Sequence, residues 1–279
     1  MVQHRLPLLT VIVPCRNEER YIRNCVMSVI SNGYPGDLDV LVVDGMSTDG
    51  TLEQLRELNL QYPNIQILNN PLKTAPSALN IGLSQCRGDL VARLDGHAMY
   101  SSGYLEKAVR ILDSDSHIAC AGGVTTAVAS TGPVAFWISC VLRSRFGVGN
   151  SQFRTLSAGE SRDVDTLAFG VYRRISLLEA GMFDERLTRN QDIEMNYRLR
   201  SMGQRIVLDP SCKVYYEPRT SIRAFVRQNF ENGKWNVWTV AHVRRMILSW
   251  RHFVPMAFVL SILILSAART SSSLADVLL

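Results

Sequence analysis

From residue 8 to about residue 124, short aliphatic runs alternate with helix-patterned stretches, and several of the runs end in polar or acidic residues. Leu8 to Val13 reads as a buried strand that leads through Pro14-Cys15-Arg16-Asn17-Glu18 into a helix from about Glu18 to Ser31. Leu38 to Val43 reads as a second strand delivering Asp44-Gly45-Met46-Ser47-Thr48-Asp49, where Thr48 or Asp49 can cap a helix running to about Asn59. Ile65 to Leu68 is a third strand, Ala75 to Cys86 a helix, and Leu90 to Leu94 a fourth strand ending in Asp95-Gly96-His97. Strands that are apolar throughout are buried on both faces, so the alternation predicts a doubly wound parallel sheet between helical layers. Ligands of such sheets sit beyond the carboxyl ends of the strands. Glu18, Asp44 and Asp95 all fall there.

An Asp and a His two positions apart at a strand end can turn toward one small volume. Gly96 between them leaves room for a ligand to approach the backbone. A carboxylate oxygen and an imidazole nitrogen together suit a divalent ion such as Mn²⁺. The plain alternative is an ordinary strand-to-loop turn with a solvated Asp95. No Gly-x-Gly-x-x-Gly follows the first strand, and no Gly-x-x-x-x-Gly-Lys-Ser/Thr occurs anywhere. A dinucleotide oxidoreductase or a P-loop enzyme needs one of them, so phosphate charge must be met otherwise, and a metal at Asp95 and His97 would meet it. Asp44 suits another task, since a carboxylate can accept the imide N–H of a uracil ring. Further on, Asp192 shares a helix face with Met195 and Asn196. The helix dipole alone also favours an acid there, so capping and catalysis both remain open from local sequence.

The net charge of +5 fits an anionic ligand or an anionic membrane surface and is too small to argue for nucleic acid. Six cysteines are scattered without a Cys-x-x-Cys pair, mostly in apolar runs, which points to a reduced compartment and to packing. Residues 125 to 160 are less regular, with an apolar helix from Val134 to Leu142 and a basic, Gly-rich turn from Arg143 to Gly149. Leu167 to Tyr172 reads as a strand, Arg173-Arg174 opens a helix to Ala180, and Ile206 to Leu208 and Lys213 to Tyr216 read as short strands.

Ser221 to Trp238 reads as an amphipathic helix. Trp235, Trp238 and Trp250 among cations resemble a helix lying in a headgroup layer, with packing onto the domain's own core as the alternative. Residues 253–268 carry no charge, yet these 16 fall short of the about 20 that span a bilayer. They are a candidate transmembrane segment, or else a buried helix. Arg244, Arg245, Arg251 and His252 would be its cytoplasmic flank. The short basic start, Met1 to Pro7, is no signal peptide, so the catalytic part is expected to face the cytoplasm. The end of the chain reads as though further membrane segments followed.

Six stretches in order carry a resemblance. They are Val13-Pro14-Cys15-Arg16-Asn17-Glu18, Val42 to Thr51, Leu94-Asp95-Gly96-His97, Asp165 to Gly170, Arg189-Asn190-Gln191-Asp192, and Arg227-Gln228 with Gly233 and Trp235. From Thr10 to about Trp238 the chain resembles the inverting family 2 glycosyltransferases of GT-A fold. It is most similar to the membrane-associated bacterial exopolysaccharide enzymes of the succinoglycan glucosyltransferase type.

The resemblance implies an α/β GT-A fold, an αβα sandwich around a mostly parallel central sheet, with a C-terminal amphipathic and membrane-associated helical region. Residues 1–220 would be the catalytic domain, with a nucleotide half at about 8–124 and an acceptor half at about 125–220. Residues 221–252 would be interfacial helices, and 269–279 a tail or the start of a further membrane segment. Pro14, Asn17, Glu18 and Asp44 would hold the uridine, with Ser47 close by. Lys73, Ala78 and Asn80 would line the nucleotide and sugar pocket. Asp95, Gly96 and His97 would stand for the family's Asp-x-Asp, with Asp95 and His97 binding the diphosphate through Mn²⁺, or Mg²⁺ as second candidate. Asp192 would be the general base. Phe169, Gly170, Gln191, Arg227, Gln228 and Trp235 would lie toward the acceptor or diphosphate.

Two departures stand out. His97 replaces the second acid of the motif, which favours Mn²⁺, and the family's late histidine is replaced near Tyr216 and Glu217. The expected activity is hexosyl transfer from a UDP-sugar to a glycan, lipid-linked through polyprenyl diphosphate, at the cytoplasmic face of the inner membrane. The expected rivals are a non-catalytic nucleotide-sugar-binding subunit of a polysaccharide assembly complex, a nucleotidyltransferase and a membrane-tethered interaction domain.

Overall fold

Strand β1 (Leu9–Cys15) is buried along its whole length and lies at the centre of the fold. The computed structural model describes residues 6–128, 132–145, 148, 151–156, 158–218 and 220–278. After β1 come α1 (Ile22–Ile30), β2 (Leu38–Asp44), α2 (Thr51–Gln61), β3 (Ile65–Asn69), α3 (Ala75–Gln85) and β4 (Leu90–Arg93). Helix α1 starts later than expected because residues 16–21, after the strand, form bends and turns. Next are β5 (Ala98–Tyr100), α4 (Tyr104–Ser114), β6 (Ile118–Ala127), α5 (Pro133–Arg143), α6 (Gln152–Thr155), β7 (Arg162–Asp163), β8 (Val171–Arg173) and α7 (Arg174–Glu179). The chain continues through α8 (Gln191–Ser201), β9 (Arg205–Tyr216), α9 (Ile222–Val243) and α10 (Val254–Leu278). Part of the basic turn expected at 143–149 lies outside the described residues, as does Leu279 of the expected tail.

Alternate side chains of β1 feed two cores, as the twofold strand period requires. Leu9, Val11 and Val13 pack with Ile22 and Val26 of α1, Leu55 of α2 and Leu105 and Val109 of α4. Ile12 packs on the other face with Leu79 and Leu83 of α3, Leu177 of α7 and Met195 and Leu199 of α8. The result is the expected αβα sandwich.

The sheet runs β3-β2-β1-β4-β8-β6-β9-β5, with β7 paired on β9. Only the first part of it is purely parallel, where β3, β2, β1 and β4 pair side by side. Strand β8 is antiparallel to both β4 and β6, β6 and β9 are parallel, and β5 and β7 are antiparallel to β9. The sheet is therefore mixed and not mostly parallel, because the chain after β4 returns across the sheet before it can extend it in one direction.

Two short strands expected at 206–208 and 213–216 are one strand, β9. Its register on β6 shifts at Gly123/Val124, leaving Pro210, Ser211 and Cys212 as a bulge, which is how a proline is tolerated inside a strand. A Cβ on Gly123 would lie 1.9 Å from the Cys212 carbonyl oxygen, so only glycine fits beneath the bulge.

At the C-terminal end a 3₁₀ turn, Trp250–Phe253, leads into α10. The candidate transmembrane segment, 253–268, falls on these two elements. Among the described residues no helix is long and apolar enough to cross a membrane. Sixteen helical residues rise about 24 Å, short of the roughly 30 Å of a hydrocarbon core. Helix α9 carries an exposed apolar stripe, Ile222, Val226, Phe230 and Val237.

Candidate active site

The strand order reverses between β1 and β4, and a crevice opens beyond the carboxyl ends of strands at such a point. A cleft of about 190 Å³ lies there, lined by Pro14, Cys15, Arg16 and Glu18 after β1, Gly45 after β2, Asn70 to Ala75 and Ala78 around the start of α3, and Asp95 and His97 after β4. A larger cavity of about 500 Å³ lies at the opposite end of the sheet, between Pro7, Asp89, Asp113 and Arg174, away from the motif residues.

The loops after β1 and β2 are stitched together by the polar residues that mark them in the sequence. The Asn17 amide donates to Ser47 Oγ at 2.9 Å, Thr48 donates its amide to Asn17 Oδ1 at 2.8 Å, and Glu18 donates its amide to Thr51 Oγ1 at 2.8 Å. Asn17 sits in the left-handed region at φ 56°, a conformation asparagine tolerates better than most residues. Asp49, not Thr48, holds the start of α2, accepting from the Thr51 amide at 3.1 Å. Asp44 is buried, and each of its oxygens accepts from Ser47, one from the hydroxyl and one from the amide. Carboxylate oxygens have two lone pairs each, so Asp44 can still receive a ligand N–H.

On the other side of the cleft, Asn70 accepts from the Ser77 hydroxyl and donates to the Thr74 carbonyl, both at 2.8 Å. This turn presents Lys73 at φ 60° to the cleft. The resemblance places Asn80 in the pocket, yet its amide is engaged elsewhere. Oδ1 accepts from the Phe183 amide and Nδ2 donates to the Phe183 carbonyl and to Glu185, each at 2.9 Å.

His97 Nδ1 lies 3.0 Å from Glu18 Oε1, which fixes the ring at the mouth of the cleft. Gly96 has a packing reason in addition to any ligand's approach. A Cβ there would lie 2.9 Å from Cys15 Cβ and 3.2 Å from Glu18 Cγ. Burial pushes the Cys15 and Cys25 thiols well above their ordinary range, so neither is a ready nucleophile. Where the family's late histidine is expected, Glu217 follows the Ala98–Tyr216 pairing and sits 3.7 Å from Arg20.

Among the described residues no three of His, Cys, Asp and Glu converge into a ready-made metal cage. Asp95 and His97 nevertheless open on one cleft with Glu18 behind the ring. That set fits an ion held by one or two protein ligands whose remaining positions go to substrate phosphates.

Asp192 lies in the first turn of α8, whose cap residue, Asn190, is left-handed at φ 61°. Asp192 Oδ1 accepts from the Ile193 amide of that first turn at 3.0 Å. The other oxygen, Oδ2, faces Arg93, 3.7 Å from Nη1. Burial pushes the Asp192 carboxyl above the usual carboxylate value, and the Arg93 guanidinium pulls it back. Below the same point Phe169 accepts from the Tyr104 hydroxyl at 2.7 Å, and the Gly170 carbonyl accepts from the Arg93 amide at 3.2 Å. Gln191 is buried beside Asp192. Helix α9 is tied to the loop before α8 by Asn232 to Arg189, by Asn236 and Thr239 to Asn190, and by His242 to Asp184. Arg227 is exposed, Gln228 and Trp235 are half-buried, and these three make none of those ties.

The structure thus gathers Pro14, Glu18, Lys73, Ala78, Asp95 and His97 around one cleft, and sets Asp192 beside it through Arg93. Sequence reasoning passes over Arg16, Asn70 and Arg93. A charged residue at the end of an otherwise aliphatic strand, Leu90-Val91-Ala92-Arg93, is the one signal that could have found the last.

Residues 10–145 match the family model Glycosyl transferase family 2. Over 229 residues the chain is 29% identical to the succinoglycan biosynthesis protein ExoA of Rhizobium meliloti, covering 80% of this chain and 67% of that protein. Among solved structures it is similar to TarS of S. aureus in complex with UDP, at TM-score 0.59 and 20% identity over 75% of this chain and 60% of that one. It is also similar to a mannosyltransferase from Pyrobaculum calidifontis in complex with GDP-Man and Mn²⁺, at TM-score 0.63 and 22% identity over 91% of this chain and 68% of the other. At these identities the structural likeness speaks for the GT-A-like fold alone. Joined to the family match over residues 10–145 and to the curated relatives, it marks the chain as a glycosyltransferase enzyme, similar to those of family 2.

Proposed function

We propose that the chain moves a hexose from a UDP-sugar to a hydroxyl of a glycan acceptor in exopolysaccharide assembly, by a single inverting displacement. One observation carries this reading. Asp192 stands at the edge of the nucleotide cleft, 3.7 Å from the guanidinium that also holds Asp95, so an acceptor-side carboxylate and a donor-side carboxylate share one small space. Asp192 takes the proton from the acceptor hydroxyl as its oxygen attacks the anomeric carbon. The bond to the diphosphate breaks on the opposite face, so an α-linked donor gives a β-linked product. Asp95 and His97 would hold Mn²⁺, with Mg²⁺ the second candidate, which when bound neutralises charge growing on the departing β-phosphate. Lys73 and Arg16 add positive charge to the same cleft.

The bare apolar stripe of α9, the exposed Met256, Phe258, Leu260 and Leu263 of α10, and exposed Arg244, Arg245 and Trp250 support contact with an anionic membrane surface. A site held there favours an acceptor linked to polyprenyl diphosphate at the cytoplasmic face of the cell membrane. Melting the protein with Mn²⁺ against a panel of UDP- and GDP-sugars tests the donor. Stabilisation by a UDP-sugar, followed by its slow hydrolysis, is expected. Stabilisation by GDP-sugars alone overturns the uridine assignment.

A further inference from the structure

Arg93 is the last residue of β4 and is 5% exposed. Its backbone is held on both sides, the amide donating to Gly170 at 3.2 Å and the carbonyl accepting from the Tyr100 hydroxyl at 2.7 Å. Its Nη2 donates to both oxygens of Asp95, at 3.1 and 3.4 Å. Nη1 faces Asp192 at 3.7 Å, close enough for an ion pair and too far for a hydrogen bond. Nη1 and Nε are buried without a hydrogen-bond partner among the described residues. The guanidinium lies 6.0 Å from the centre of the Phe169 ring. A buried cation with unmet donors is costly unless something compensates for it. Here the compensation is two carboxylates 97 residues apart in sequence, Asp95 after β4 and Asp192 in α8.

We propose that Arg93 is a positioning residue, spanning Asp95 and Asp192 so that the donor-side and acceptor-side carboxylates keep one separation. This rests on Asp192 being the base. Two like charges close together repel, and a planar fork can hold both at once where a lysine ammonium acts as a single point. Nη1, which still lacks a hydrogen-bond partner, is one small side-chain movement from Asp192. Arg93 thereby ties the orientation of the base to the occupant of the nucleotide cleft.

The test compares Arg93→Lys and Arg93→Met with wild type, each also in the Asp192→Asn background. It reads circular dichroism for folding, calorimetric UDP affinity with MnCl₂, and kcat and KM for sugar transfer. Arg93→Met is expected to lower kcat by about 100-fold or more, in the range of losses from general base catalysis. UDP affinity and donor KM should change by less than about 5-fold, since charge at the phosphates is also met by Lys73 and Arg16. Arg93→Lys should fall between wild type and Arg93→Met. In Asp192→Asn protein the further loss from Arg93→Met should nearly vanish, because residues acting as a unit are not additive. Equal losses in both backgrounds, or a folded Arg93→Lys protein with wild-type kcat, overturn the proposal. If Arg93→Met fails to fold, the lysine variant decides. Failure of the base assignment shows separately, as an Asp192→Asn enzyme that still turns over.

Discussion

The side chain of Asn80 meets both backbone groups of Phe183, accepting from the amide and donating to the carbonyl at 2.9 Å each. This ties α3, beside the nucleotide cleft, to the loop that leads into α8 and Asp192. Asn80→Ala leaves two backbone groups of Phe183 without these partners, so it should cost about 1–3 kcal/mol in a urea melt. It should also lower kcat more than UDP affinity, because the cleft itself loses no lining residue. Unchanged stability would show that the latch is not holding the loop.

A second tie to that loop is pH-dependent. Asp184 is bonded by the Arg186 side chain and amide and by His242, and these hold its carboxyl well below the usual value, at about 2. A depressed folded-state pKa contributes stability that is complete above the unfolded value, about 3.9, and is lost as pH falls toward 2. Asp184→Asn should therefore be less stable than wild type by about 1.5–3 kcal/mol at pH 7. The gap should narrow between pH 4 and pH 2. A gap independent of pH would mean the carboxylate charge is not what stabilises the contact.

Gly170 has no room for a side chain, since a Cβ would lie 2.3 Å from Cys120 Sγ. Gly170→Ala should destabilise by about 1–3 kcal/mol through overpacking and disturb the Arg93 amide bond. Adding Cys120→Ala should recover part of the loss. No recovery would place the strain elsewhere.

How far the sequence discloses this arrangement depends on the range of each interaction. Strands β1, β2 and β4 are legible because burial on both faces leaves largely aliphatic runs, and the acids at their ends mark the cleft. The β6–β9 pairing is not legible, because it joins segments far apart, and Pro210 makes one bulged strand look like two. The resemblance puts Asn80 in the pocket, but its side chain is bonded to Phe183, 103 residues away. Arg93 looks like an interruption in an apolar strand until Asp192 is folded against it.

Removing the metal requirement is the next check. With MnCl₂ present, Asp95→Ala should weaken UDP binding about tenfold or more, as removal of a ligand or its close partners does, and EDTA should do the same to wild type. Equal nucleotide affinity with and without chelator would contradict a metal held at Asp95 and His97.

The base assignment is open to the most direct measurement: sugar transfer and UDP affinity of Asp192→Asn beside wild type. The amide keeps shape and loses the proton acceptor, so turnover should fall by about 100- to 10,000-fold with UDP affinity intact. Turnover within a few-fold of wild type would contradict the account at its centre.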